Sequence, residues 1–184
     1  MQDDCSRSNG GEKVSVFKFS KKGDGGETSL LTGERVSKAS LRPETYGTLD
    51  EASSALGLAK AATHNETIRQ MITTIQQDLM ILGAELASEG SNPGYSVDAD
   101  LITRLEEWIE RLQEEVAIPR SFILPGDNPV SAALDLARTI VRRAERRAAA
   151  MRDAGLLDHA EVHAYLNRAA DLLFTLARYA AKND

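Results

Sequence analysis

Six arginines, Arg138, Arg142, Arg143, Arg146, Arg147 and Arg152, crowd into fifteen residues that contain no lysine. A planar guanidinium offers a fork of N–H donors suited to bidentate grip on phosphate or carboxylate, so the composition points to an anionic ligand or partner. At about 100° per residue, Arg138, Arg142 and Glu145 share one flank of a helix. That flank borders the apolar stripe of Val130, Ala133, Leu134, Ala137, Val141, Ala144 and Ala148. Two readings are open. One is a solvated edge laced with intrahelical pairs such as Arg138–Asp135 and Arg142–Glu145; the other is a polar seam kept for a neighbouring subunit or an anion.

A second candidate is Lys21-Lys22-Gly23-Asp24-Gly25-Gly26-Glu27-Thr28-Ser29-Leu30. Small residues let backbone N–H groups approach phosphate oxygens, and Lys21, Lys22, Thr28 and Ser29 add charge and hydroxyls. The lysines precede the glycines, the reverse of a Walker A loop, and by spacing alone such a stretch is more often a simple turn. Phe122-Ile123-Leu124-Pro125-Gly126 is apolar where loops are usually polar; it either packs over a bundle end or forms an exposed ligand wall. His159 and His163 are four apart, a spacing able to serve one metal, but no Glu follows the first His and no Glu-x-x-His pair exists. A solvated helix start is the preferred reading. No Gly-x-Ser-x-Gly elbow occurs, and Cys5 sits in a polar tail. Such a chain suits group transfer by positioning.

These residues need elements to hold them. Twenty-four of the twenty-five alanines follow residue 43, where apolar residues begin to recur at intervals of three and four. Ala52, Ala55, Leu56 and Ala59 mark a first helix of about sixteen residues from Pro43. Ile68 to Leu86 mark a second, capped by Asn65 and closed at Gly90. Leu101 to Val116 mark a third that stops before Pro119. Asn128-Pro129 opens a fourth that runs to Gly155. Asp158 with Glu161 reads as a capping box for a fifth, through Val162, Leu166, Ala169, Leu173 and Leu176. The expected fold is all-α, a five-helix antiparallel bundle with an extended N-terminal arm. Residues 1–12 read as a disordered tail. Residues 13–184 read as one domain, with an arm (13–42, starting in an extended piece through Val14, Val16, Phe17 and Phe19) and a bundle (43–184).

Composition bounds the partners. The 184 residues are 42% hydrophobic and 27% charged, with no apolar run near the ~18 residues of a membrane span. A net charge of −6 repels nucleic-acid backbones, so phosphate must be met by a local basic cluster. One cysteine excludes an internal disulfide, and Met1 to Cys5 lack the start of a secretory signal, which gives a cytoplasmic expectation.

Three blocks together resemble the PduO-type ATP:cob(I)alamin adenosyltransferases. They are Ser20 to Leu30 with Gly33 to Lys38; Phe122 to Gly126 running on to Ala137-Arg138 and Arg142-Arg143-Ala144-Glu145-Arg146; and Tyr165-Leu166-Asn167-Arg168 to Leu173-Phe174 and Ala177-Arg178. Tyr46-Gly47-Thr48-Leu49-Asp50-Glu51 with Leu56-Gly57 is a weaker fourth. Their order spans residues 14 to 181.

The resemblance implies a ferritin-like bundle assembled as a homotrimer, each active site lying between adjacent subunits. It implies transfer of the 5′-deoxyadenosyl group of ATP to the cobalt of cob(I)alamin, with triphosphate released. By it, Ser20, Lys21, Lys22, Gly23, Asp24, Gly25, Gly26, Thr28, Ser29 and Lys38 form a nucleotide-binding arm, with Mg²⁺ bridging the phosphates. Arg142, Glu145 and Asn167 complete the ATP pocket, Arg138 pairs with Asp50 across the subunit boundary, and Phe122 closes the lower face of the corrin. A flavin reductase and an adenosylcobalamin-dependent enzyme are the implied protein partners. Four places depart from the common pattern: Ser20 for threonine, Ser53 for asparagine, Asp127 for glycine and Asp135 for histidine. Asp127 and Asp135 are expected to add negative charge beside the corrinoid. A rival reading is a non-catalytic helical module that binds or carries ATP or corrinoid.

Overall fold

Three of the helix starts are set by side chains that satisfy the first free N–H groups. In the computed structural model, which describes residues 21–88, 94, 96–118 and 121–184, Asn65 accepts from the N–H groups of Thr67 and Ile68 and opens α2 (Glu66–Ala87). Asp98 does the same for α3 (Ala99–Glu115) through Leu101. Asn128 and Ser131 form a reciprocal capping box at α4 (Pro129–Asp153), and Pro129 takes the first helical position, where its missing N–H costs nothing.

Two expectations are corrected. The first helix, α1 (Leu41–Ala62), has 22 residues rather than about sixteen, because Pro43 lies within the first turn, which tolerates it. The last, α5 (Ala160–Asn183), has His159 at its N-cap position with no side-chain cap bond, and lacks the expected Asp158 box. The His159 ring is drawn between Glu85 and Glu161, 2.9 Å from the latter, and this fixes the chain entry one residue later. The tail 1–12, the extended piece through Val14 to Phe19, and Ser20 lie outside the described residues.

α4 packs between α1 and α5, α1 also packs on α2, and α3 lies on α5. The expected stripe of α4 faces inward: Leu134, Ala137, Val141, Ala144 and Ala148 are fully buried, while Ala133 is only partly so. Ala52 and Ala59 of α1 are likewise sealed, and such small residues permit close helix approach. Before the bundle, β1 (Glu27–Ser29) and β2 (Arg35–Ser37) pair antiparallel with Thr28 opposite Val36. The hairpin is tied to the bundle by Leu31 N–H donating to Ala87 O at 2.9 Å and by the buried Leu30.

A polar cluster sits between α2, α3 and α5. Asp78 of α2 accepts from Arg104 of α3 at 2.6 and 2.8 Å and from the Tyr165 hydroxyl of α5 at 2.8 Å. Burial, then the Asp78 carboxylate, pushes the Tyr165 phenol well above its ordinary range, so it stays a donor. Asp78→Ala strands a guanidinium and a phenol, and is expected to lower stability by about 3 kcal/mol. Urea unfolding checks this: the midpoint falls while the slope is retained.

Candidate active site

The arginine-rich flank of α4 meets α5 in an open cleft of about 560 Å³ lined by Arg142, Glu145, Arg146, Ala149, Arg152, His163, Ala164 and Asn167. Of the two readings of this flank, the simple intrahelical lacing fails at Arg142. Glu145 is engaged by Asn167, whose Nδ2 donates at 3.1 Å, and the Arg142 guanidinium has no ion-pair partner among the described residues. Arg146 donates to the Arg142 carbonyl at 3.0 Å, and Arg152 lies 3.5 Å from Asp153. A free guanidinium beside a fixed amide–carboxylate pair can grip an anion and orient the group attached to it. Arg143 and Arg147 instead face α1, where they pair with Glu51 and Glu44.

The glycine stretch is a built loop. Asp24 and Gly26 N–H groups donate to Lys21 O and Gly23 O, both at 3.2 Å, and Gly26 adopts φ +81°, which a side chain would strain. Lys38 donates to Gly23 O at 2.9 Å, and Arg35 to Lys22 O at 2.9 Å, to Ser29 at 3.3 Å and to Glu27 at 3.2 Å. The resemblance places Lys38 in the nucleotide-binding arm and gives Arg35 no role; both hold the loop closed, Arg35 from β2 and Lys38 just after it. Lys21, Asp24, Gly25 and Thr28 remain at or near the surface. None of Lys21 to Lys38 lines the α4–α5 cleft of the same chain.

Phe122 is fully exposed, and Leu124 is 89% exposed, so the apolar loop forms an open wall and does not pack over the bundle end. Behind it, Asp135 is buried, against the expectation that it adds free negative charge. Arg138 Nε lies 3.1 Å from one of its oxygens, and buried Arg178 holds the other. Two guanidinium groups neutralise one carboxylate. Asp127 is exposed, 3.8 Å from Arg178, and the Arg138 and Arg178 guanidinium groups lie over the Phe174 ring at 5.8 and 5.6 Å from its centre. Within one chain Arg138 therefore pairs with Asp135. Asp50 lies on α1 in a groove of about 320 Å³ with Tyr46, Ser53, Gln76 and Met80, and has no ion pair among the described residues.

The two histidines of α5 diverge. His159 is taken by Glu85 and Glu161, while His163 lines the cleft beside Arg142 and Asn167. Among the described residues no three His, Cys, Asp or Glu side chains gather as metal ligands, and no helix is long and apolar enough to cross a membrane.

A sequence profile of the family described as cobalamin adenosyltransferase matches residues 18–180. The chain belongs to the cobalamin adenosyltransferase family. It is 41% identical over 163 residues to the corrinoid adenosyltransferase PduO of Citrobacter freundii, covering 87% of this chain and 48% of that protein. It thus spans about half the length of the PduO relatives that it matches. A corrinoid adenosyltransferase of Mycobacterium tuberculosis is 40% identical over 168 residues, covering 88% and 87%. Among solved structures, a variant PduO-type ATP:corrinoid adenosyltransferase from Lactobacillus reuteri, complexed with cobalamin and ATP, superposes with a TM-score of 0.81. That pair shares 30% identity over 89% of this chain and 90% of that one. The five-helix fold of this chain is therefore that of the adenosyltransferases.

Proposed function

We propose that this chain is a cytoplasmic, homotrimeric ATP:corrinoid adenosyltransferase whose active site forms between adjacent subunits. The observation that carries the reading is the cleft of α4 and α5. It gathers Arg142, Glu145 and Asn167 from two helices and leaves Arg142 without an ion pair among the described residues, while the described part of the glycine arm that should complete it does not line it in the same chain. A neighbour's arm supplies what is missing. Lys21, Lys22, Thr28, Ser29 and the N–H groups around Gly23 to Gly26 then meet the triphosphate, with Arg142 opposite. Mg²⁺, when bound with ATP, would add positive charge beside the triphosphate, with no side chain assigned to it.

Cobalt(I) supplies the electron pair, so the site needs no general base. The pair on cobalt forms the bond to the ribose 5′-carbon, the C5′–O bond breaks, and triphosphate leaves with that bond's electrons. The protein aligns nucleophile and carbon and neutralises the departing charge. Phe122 and Leu124 present the apolar ledge for the corrin. Arg138, turned by Asp135 so that Nε is the bound edge, keeps its terminal nitrogens for Asp50 of the neighbouring copy. A flavin reductase delivers the reduced corrinoid, and an adenosylcobalamin-dependent enzyme takes the product.

The test is an anaerobic assay with MgATP and chemically reduced cobalamin. Conversion of the absorbance spectrum to the adenosylated form is expected; binding of either substrate without conversion overturns the reading in favour of a carrier.

A further inference from the structure

Most polar side chains around the α4–α5 cleft have a role already. Asn167 is bonded to Glu145, Arg146 to the Arg142 carbonyl, and Arg152 to Asp153. His163 does not: it lines the cleft, and its Nε2 is shielded from solvent with no hydrogen-bond partner among the described residues. Protein closes off Nε2, so Nδ1, which makes no hydrogen bond among the described residues, is the ring nitrogen that a ligand in the cleft can meet. The family resemblance gives this position no role, because His163 falls two residues before the Tyr165-Leu166-Asn167-Arg168 block.

Resting on the adenosyltransferase reading above, we infer that His163 is a nucleotide-contacting residue, its imidazole hydrogen-bonding an uncharged polar edge of the nucleoside, a ribose hydroxyl or a base nitrogen. The choice of the nucleoside over the phosphates follows from charge. Burial, then Arg152, holds the imidazole below its ordinary pKa against the opposing pull of Glu145 and Asp153, so the ring is neutral at pH 7. A neutral imidazole has one donor and one acceptor, which match a hydroxyl or a ring nitrogen. The phosphates have the Arg142 guanidinium close by, a charged fork that outcompetes it.

The chain has three histidines, His64, His159 and His163. With ¹³C-labelled histidine, their ring signals can be assigned by substitution and followed as MgATP is added to the full chain. The His163 signal is expected to move saturably while those of His64 and His159 stay. In the assay, His163→Ala is expected to raise the KM for ATP about 10-fold with kcat nearly unchanged, and His163→Gln to recover part of the loss. If calorimetry shows MgATP binding but the His163 signal stays still and His163→Ala matches the parent, the inference fails and the adenosyltransferase reading stands. If the parent chain neither binds MgATP nor turns over, both fall together.

Discussion

Arg142→Ala is expected to lower kcat/KM for ATP by about 10³-fold while leaving the folded chain intact. Arg142 is exposed on α4 and has no ion-pair partner among the described residues, so its removal breaks no structural contact. Substitutions of that kind change stability by about 0.5 kcal/mol or less. Its guanidinium lines the cleft beside the Glu145–Asn167 pair, where the proposed function places the departing triphosphate. Charge that develops as the C5′–O bond breaks is stabilised most by a fixed donor fork already in place, and its loss falls mainly on kcat. Arg142→Lys should keep the charge without the fork and recover only part of the rate. Steady-state kinetics with prereduced cobalamin, alongside thermal melting, checks this. A normal melting curve with a normal rate would remove Arg142 from the site.

Phe122→Ala separates two steps of the same reaction. The side chain is fully exposed in the single chain, so truncation costs the fold nothing. A corrinoid cobalt(II) resists reduction while an axial ligand raises the energy of its acceptor orbital; an apolar ring at the lower face keeps that ligand out. The variant is therefore expected to lose about 10²-fold in turnover when the assay starts from cobalt(II) and a reductase, and far less from prereduced cobalt(I). Equal losses from both starting states would make Phe122 a simple contact for the corrin. Leu124, 89% exposed beside it, offers a control: shortening it removes ledge area without removing an aromatic plug.

What could be read in advance depended on how local the cause was. Asn65, Asp98 and Asn128-Pro129 announce helix starts because the donor groups they satisfy lie two or three residues away. The α4 stripe follows from helical periodicity alone. Asp78 was illegible: a carboxylate among Ile75, Leu79 and Leu82 reads as the edge of a helix, and its burial depends on Arg104 and Tyr165, 26 and 87 positions away. Asp135 misled for the same reason, since the cation that neutralises it, Arg178, lies 43 positions on. Glu145 has an arginine at a favourable helical spacing, yet its partner is Asn167 of α5; spacing proposes a pair and packing selects another. The order of the glycine, arginine and asparagine blocks carried the family. Which residues share a cleft needed the fold.

The central claim is that the arm and the cleft of one site come from different copies of the chain. Two variants, one with Lys21→Ala and Lys22→Ala in the arm and the other with Arg142→Ala in the cleft, can be co-expressed with different tags and purified through both. Every trimer so selected contains both variants, and a cyclic arrangement then rebuilds one intact site in three, so about a third of parental activity should return. A doubly tagged assembly as inactive as either variant alone would place arm and cleft of each site in the same chain and contradict the account.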